Sequence, residues 1–190
     1  MAAVNPYSQR ILKELEAVLK EVPADLIDRL ASAVAAADRV FVAGEGRSGL
    51  MARAFAARLV HLGLRAHESS EITCPRIGPA DLMIACSGSG ETRTTLEKML
   101  SAREVEAKVV LITANPDTRF GDAADLLLHL PAPQANPPGV RHRREPSSVQ
   151  PQRSLFEQAL LIVLDSTVLK LMEKLHVKRD EMAKRHTNLE

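Results

Sequence analysis

The chain reads as an α/β protein: an open, doubly wound sheet of five parallel strands flanked by helices, in the order 2-1-3-4-5. Three observations carry that reading. Short apolar runs rich in β-branched residues alternate with longer segments of helical spacing. The runs are apolar on successive residues, as strands covered on both faces are. Glycine- and serine-rich hexapeptides follow the first and third runs. With right-handed crossovers, the crevice of such a sheet opens between the carboxyl ends of those same two strands.

The elements follow in order. Ile11, Leu12, Leu15, Val18 and Leu19 fall on one helical face, and Pro23 ends that run. A second helix carries Leu26, Ile27, Leu30 and Val34 inward and leaves Asp25, Asp28 and Arg29 to water. Together these helices occupy 6–37. The α/β core is expected over 39–130. Its first strand is Arg39–Ala43, followed by Gly44-Glu45-Gly46-Arg47-Ser48-Gly49 and a helix from Leu50 to Leu62 that stops at Gly63. A second strand lies at Arg65–Ser69 and a third at Leu82–Cys86. A helix then runs from after Thr92 to before Ala107, and Lys108–Thr113 is the fourth strand. Asn115-Pro116-Asp117 is expected to start a short helix, and Leu126–Leu130 is the fifth strand.

Pro131–Pro151 is a proline-rich loop whose Arg141, His142, Arg143 and Arg144 read as a solvated or mobile surface rather than a ligand clamp. The C-terminal helices are placed over 154–186. Ser154 and Glu157 have the spacing of a capping box. Ala159–Leu164 is apolar on every face, more than one flank of a monomer needs, which predicts burial in a homo-oligomer interface. A last helix spans Lys178–Lys184. The organisation is that of one domain over 1–190.

Composition limits the function classes. Hydrophobic residues make up 45%, charged residues 26%, and the formal charge is +1, so nothing favours a nucleic acid or an acidic membrane as partner. No leader pattern and no run of about 18 apolar residues is evident, which argues against a membrane span. The two cysteines, Cys74 and Cys86, lack metal or disulfide spacing and read as free thiols of a reducing cytoplasm.

The chemistry gathers in the two loops. Ser87-Gly88-Ser89-Gly90-Glu91-Thr92 stands where a strand hands over to a helix. Its small residues let backbone N–H groups approach a ligand, and the helix start favours an anion, so the loop is a candidate cradle for the phosphate of a small molecule. Ordinary turn chemistry accounts for the same residues. Gly44-x-Gly46-x-x-Gly49 also matches a dinucleotide fingerprint, with Glu68 about 20 residues on as a ribose-binding acid. Against that rival, no second domain is evident for a reducible substrate, and the serine-rich loop has no part in the fingerprint. Titration with NAD(P) separates the two.

With both loops in hand, the chain resembles the sugar isomerase (SIS) domain, and within it the 6-phospho-3-hexuloisomerase family. The resembling segments are Gly44–Gly49, Ala57-Arg58-Leu59-Val60-His61-Leu62-Gly63, Ser87–Thr92, Ser154-Leu155-Phe156-Glu157 and Arg185-His186-Thr187-Asn188-Leu189-Glu190. The resemblance implies interconversion of D-arabino-3-hexulose 6-phosphate and D-fructose 6-phosphate through an enediolate, within formaldehyde fixation by the ribulose monophosphate route. It implies no metal or organic cofactor, and a cytoplasmic homotetramer whose sites are shared between subunits. Substrate and phosphate would fall on Gly46, Arg47, Ser48, Ser87, Gly88, Ser89, Gly90, Glu91 and Thr92. Glu157 resembles the base, and His61 a histidine lent to a neighbouring subunit; His186 is a third catalytic candidate. Taken alone, His61 reads equally well as a surface or core imidazole. SIS domains also serve as non-catalytic sensors in regulators, which normally carry a DNA-binding segment that the first 38 residues do not accommodate. One departure stands out: Pro151-Gln152-Arg153 replaces the family's usual Pro-Met-Gly.

Overall fold

The computed structural model describes residues 5–133 and 148–189. Its five strands are β1 (Val40–Gly44), β2 (Ala66–Glu68), β3 (Leu82–Cys86), β4 (Lys108–Thr113) and β5 (Leu126–His129). They form one parallel sheet in the order β2-β1-β3-β4-β5, as expected. The helices are α1 (Pro6–Lys20), α2 (Leu26–Ala36), α3 (Gly46–Leu62), α4 (Arg93–Glu104), α5 (Ser154–Lys174) and α6 (Arg179–Lys184). Among the described residues, no helix is long and apolar enough to cross a membrane.

Strand alternation divides the core into two layers. Val40, Val42, Leu82, Ile84, Val110 and Ile112 face α1, α2, α3 and α5. Phe41, Ala43, Met83, Ala85, Val109 and Leu111 face α4. Covering both faces is what makes every residue of β3 buried and its sequence continuously apolar. At the amino ends of the strands, the Arg39 guanidinium grips the buried Asp81 through two hydrogen bonds of 3.0 and 2.7 Å. The Gly78 N–H adds a third bond to that carboxylate at 2.7 Å.

Several local expectations change. On α1, Leu15 and Val18 are buried but Leu12 is 59% exposed, because α1 packs on α5 through a narrow stripe and leaves that position in water. Helix α3 starts at Gly46 rather than Leu50. Its first turn lies hard against the strand end: a Cβ on Gly49 would stand 2.5 Å from the Gly44 carbonyl oxygen, so only glycine fits.

Asn115-Pro116-Asp117 forms no α-helix; the segment is a turn followed by a 3-10 helix at Gly121–Ala123. The Asn115 side chain explains this, since its oxygen accepts from the Asp117 N–H at 3.2 Å and so offers the backbone a local alternative. The capping box at Ser154 is absent. Ser154 is already the first helical residue, and Arg153 is the cap, with φ 58 and no side-chain cap bond. Ala159, Leu160, Val163 and Leu164 are buried within this chain, because α5 is covered by α1, α2 and α3 together. Ile162 and Leu169 on the same helix stay exposed, at 37% and 64%. The Arg141–Arg144 cluster lies outside the described residues.

Candidate functional site

The crevice at the carboxyl end of the sheet is built by β1 and β3, whose ladder ends on the Gly44–Cys86 pair. The next residue, Ser87, is buried, and its hydroxyl donates to Thr92 Oγ1 at 2.9 Å. Ser89 Oγ lies 3.5 Å from the same oxygen and accepts the Glu91 N–H at 3.2 Å. Three hydroxyls thus converge within one turn. Thr92 is the N-cap residue of α4 but makes no side-chain cap bond, because its hydroxyl is turned into this cluster. The first turn of α4 therefore presents N–H donors and the positive end of its dipole toward the cradle.

The turn is held from beneath. Gly90 has φ 67, and the Thr118 hydroxyl donates to its carbonyl at 2.7 Å. Asn115 Nδ2 donates to the Ser89 carbonyl at 3.1 Å, and Thr113 Oγ1 donates to that of Gly88 at 3.4 Å. These three supports escaped the sequence reading. The Asn115-Pro116 turn residues were a signal for a turn there, but nothing local pointed from Thr113 or Thr118 to the neighbouring strand end. Glu91 faces outward, toward Thr118 at 3.3 Å and Arg119 at 3.2 Å.

Gly46, Arg47 and Ser48 form the first turn of α3, on the other side of the crevice. The Arg47 guanidinium is hydrogen-bonded to the carboxylate of Glu157, which lies in the first turn of α5. The Glu157 side chain is 10% exposed and that of Arg47 58%. The start of α5 is seated on the hydroxyl loop: a Cβ on Gly88 would meet Phe156 Cδ1 at 2.9 Å. Cys86, the last residue of β3, is buried, and burial pushes its thiol up to about 12, which disfavours the thiolate. Glu68, the acid of the dinucleotide pattern, is committed to Arg53 at 3.2 Å and to the Ser70 N–H at 3.0 Å.

The histidines are elsewhere in the chain. His61 lies near the far end of α3, about 20 Å of helix from Arg47. Its ring packs on His186 with centroids 4.9 Å apart. Arg58 Nη1 is 3.4 Å from His61 Nδ1, and Arg185 Nη1 donates to the His61 carbonyl at 3.2 Å. This cluster borders an open groove of about 1040 Å³, with Ile162, Leu169 and Met172 on its apolar side. So the structure brings Arg47, Ser87, Ser89, Thr92 and Glu157 to one crevice, and His61 with His186 to a second place. Among the described residues, no group of three or more His, Cys, Asp or Glu is arranged to hold a metal ion.

Residues 33–162 match the family model of the SIS domain. The chain belongs to the SIS domain family. This SIS domain is 38% identical over 184 residues to the 3-hexulose-6-phosphate isomerase of Bacillus subtilis, spanning 97% of each chain. It is 37% identical over 161 residues to the 3-hexulose-6-phosphate isomerase of Mycobacterium gastri, covering 85% of this chain and 78% of that one. Among solved structures it is similar to a hypothetical protein of Methanococcus jannaschii from whose structure a 3-hexulose-6-phosphate isomerase function was inferred. The TM-score is 0.83 at 28% identity, over 98% of this SIS domain and 100% of that chain.

Proposed function

We propose that this SIS domain is a sugar-phosphate isomerase that interconverts D-arabino-3-hexulose 6-phosphate and D-fructose 6-phosphate. The observation that carries the reading is a buried carboxylate, Glu157, whose helix is seated directly on the hydroxyl loop through Phe156 and Gly88. A phosphate on Ser87, Ser89, Thr92 and Ser48 anchors one end of the substrate. The carbon chain then extends toward the start of α5, where Glu157 is the base.

The reaction needs one proton to change carbons. Glu157 takes the proton from C2 of the 3-hexulose, and the electron pair of that C–H bond forms the C2=C3 double bond of an enediolate. The C3 carbonyl oxygen receives a proton. Return of the proton from Glu157 to C3, with loss of the proton on the C2 oxygen, leaves the C2 ketone of fructose 6-phosphate. One carboxylate suffices for both carbon steps, and a second group is needed for the oxygen protons. His61 takes that role from a neighbouring subunit, because within one chain it lies about 20 Å of helix from Arg47. The pairing of His61 with His186 beside a groove with exposed Ile162 and Leu169 supports a homo-oligomer, a tetramer in this reading. The free thiols Cys74 and Cys86 suit a cytoplasmic enzyme.

The test is a coupled assay in which D-arabino-3-hexulose 6-phosphate is supplied and fructose 6-phosphate is followed. The expected result is turnover by the purified chain with no added metal or cofactor. Turnover of a different sugar phosphate alone would replace the substrate. Binding without any turnover would make the chain a sensor instead.

A further inference from the structure

We propose that Arg47 is a substrate-displaced latch on Glu157: its guanidinium holds the carboxylate in the empty site, and the incoming sugar phosphate draws the guanidinium away. This rests on the isomerase reading above, in which Glu157 is the base. Three features of the crevice carry it.

The first is the order in which a ligand meets the pair. Arg47 is 58% exposed and Glu157 only 10%, so an anion arriving from solvent encounters the cation before the carboxylate behind it. The second is charge. Ser87, Ser89 and Thr92 offer hydroxyls, which are neutral, while a phosphate monoester near neutral pH carries close to two negative charges. A guanidinium in the opening turn of α3 compensates that charge, and its fork of donors can take phosphate or sugar oxygens in place of one carboxylate oxygen.

The third is the chemistry of the base. The Arg47 bond engages Glu157 Oε2 and holds the carboxylate toward α3, whereas abstraction of a carbon-bound proton needs a carboxylate oxygen aimed at that carbon. Among the described residues, Arg47 is the one cation paired with Glu157. Its transfer to the substrate therefore releases Oε2 and lets the carboxylate turn toward the sugar carbons only when a ligand is in place. In this scheme Arg47 both binds the substrate and, by leaving Glu157, releases the base.

The experiment is a binding cycle on glucitol 6-phosphate, which has the phosphate and the hydroxyls but no carbonyl to isomerise. Calorimetry is run on the wild type, Glu157→Gln, Arg47→Met and the double variant, with circular dichroism and thermal melting to establish that each is folded. Glu157→Ala repeats the comparison with the carboxylate group removed outright. Because Glu157 and the ligand compete for one guanidinium, Glu157→Gln is expected to bind about fivefold tighter than wild type, the upper range of partly exposed ion pairs. On the Arg47→Met background the same substitution is expected to leave the affinity unchanged. Unchanged or weaker binding by both Glu157 variants, or an equal gain without Arg47, overturns the latch. If the wild type itself does not bind glucitol 6-phosphate, the isomerase reading falls with it.

Discussion

Two arginine–carboxylate pairs stand at opposite ends of β1 and β3, and they are built differently. At the amino ends, Arg39 meets Asp81 through both Nε and Nη2, and the Gly78 N–H adds a third bond to the carboxylate. Arg39 Nη2 also donates to the Arg76 carbonyl at 3.1 Å, and the guanidinium side chain is only 27% exposed. At the carboxyl ends, Arg47 meets Glu157 through Nε, with 58% of its side chain in water. The first pair is tied down within the chain, by three bonds to the Asp81 carboxylate and one from Arg39 to the Arg76 carbonyl, at the end of the sheet away from the crevice. The second leaves donors facing solvent beside a cluster of hydroxyls. Residue types alone do not separate a structural ion pair from one available to a ligand. The number of protein partners and the side of the sheet do.

The comparison can be broken at either end, and the effects differ in kind. At the carboxyl end, Glu157→Gln is expected to lower kcat by about 10³-fold while sugar-phosphate binding survives, read by steady-state kinetics. At the amino end, Asp81→Asn is expected to leave kcat of the folded enzyme within about twofold but to cost about 3 kcal/mol in urea unfolding, the low end for removing one member of a buried pair. The reverse pattern, a stability loss at Glu157 and a rate loss at Asp81, would dissolve the distinction.

Gly88→Ala sharpens the link between the loop and α5. The added methyl meets Phe156 Cδ1 at 2.9 Å, so Phe156 and the start of α5 must shift. Overpacking of this kind costs about 2 kcal/mol, and here it is expected to appear as a fall in kcat together with a rise in KM. The acid limit of stability distinguishes the amino-end pair. Burial alone would raise the Asp81 carboxyl, but the hydrogen bonds from Arg39 and the Gly78 N–H outweigh it and hold the group below the ordinary aspartate range. A carboxylate lowered by folding contributes its stability in full above about pH 4 and loses it as the pH falls through the folded value. The gap in urea midpoint between wild type and Asp81→Asn is therefore expected to be constant above that pH and to close below it.

The smallest effect concerns Arg153, which adopts φ 58 at the start of α5. A side chain in that left-handed conformation costs about 1 kcal/mol. Arg153→Gly is expected to raise the stability by that amount in the same urea assay.

What the sequence made legible follows from how far each signal reaches along the chain. β3 and β4 were read with their observed bounds because burial on both faces leaves an unbroken apolar run, a purely local signature. The hydroxyl loop was legible for the same reason: its residues and its helix are contiguous. The start of α3 was misplaced because Gly46 and Gly49 look like turn residues. Only the close approach of Gly49 to the Gly44 carbonyl explains why a helix begins there. Thr113, Asn115 and Thr118 support the loop across more than 20 residues, a relation that no local pattern encodes. The same holds for the Arg47–Glu157 pair, which joins the first turns of two helices 110 positions apart. The capping box failed because Ser154 and Glu157 have the spacing but Ser154 is already inside the helix.

The most direct measurement of the central claim, that Glu157 moves the proton between C2 and C3, is hydrogen exchange at carbon. Fructose 6-phosphate is incubated with the enzyme in D2O and the C3 proton followed by NMR. The wild type is expected to replace that proton with deuterium, and Glu157→Gln, folded and still binding, is expected to leave it in place. Exchange by Glu157→Gln at the wild-type rate would contradict the assignment and place the base elsewhere in the crevice.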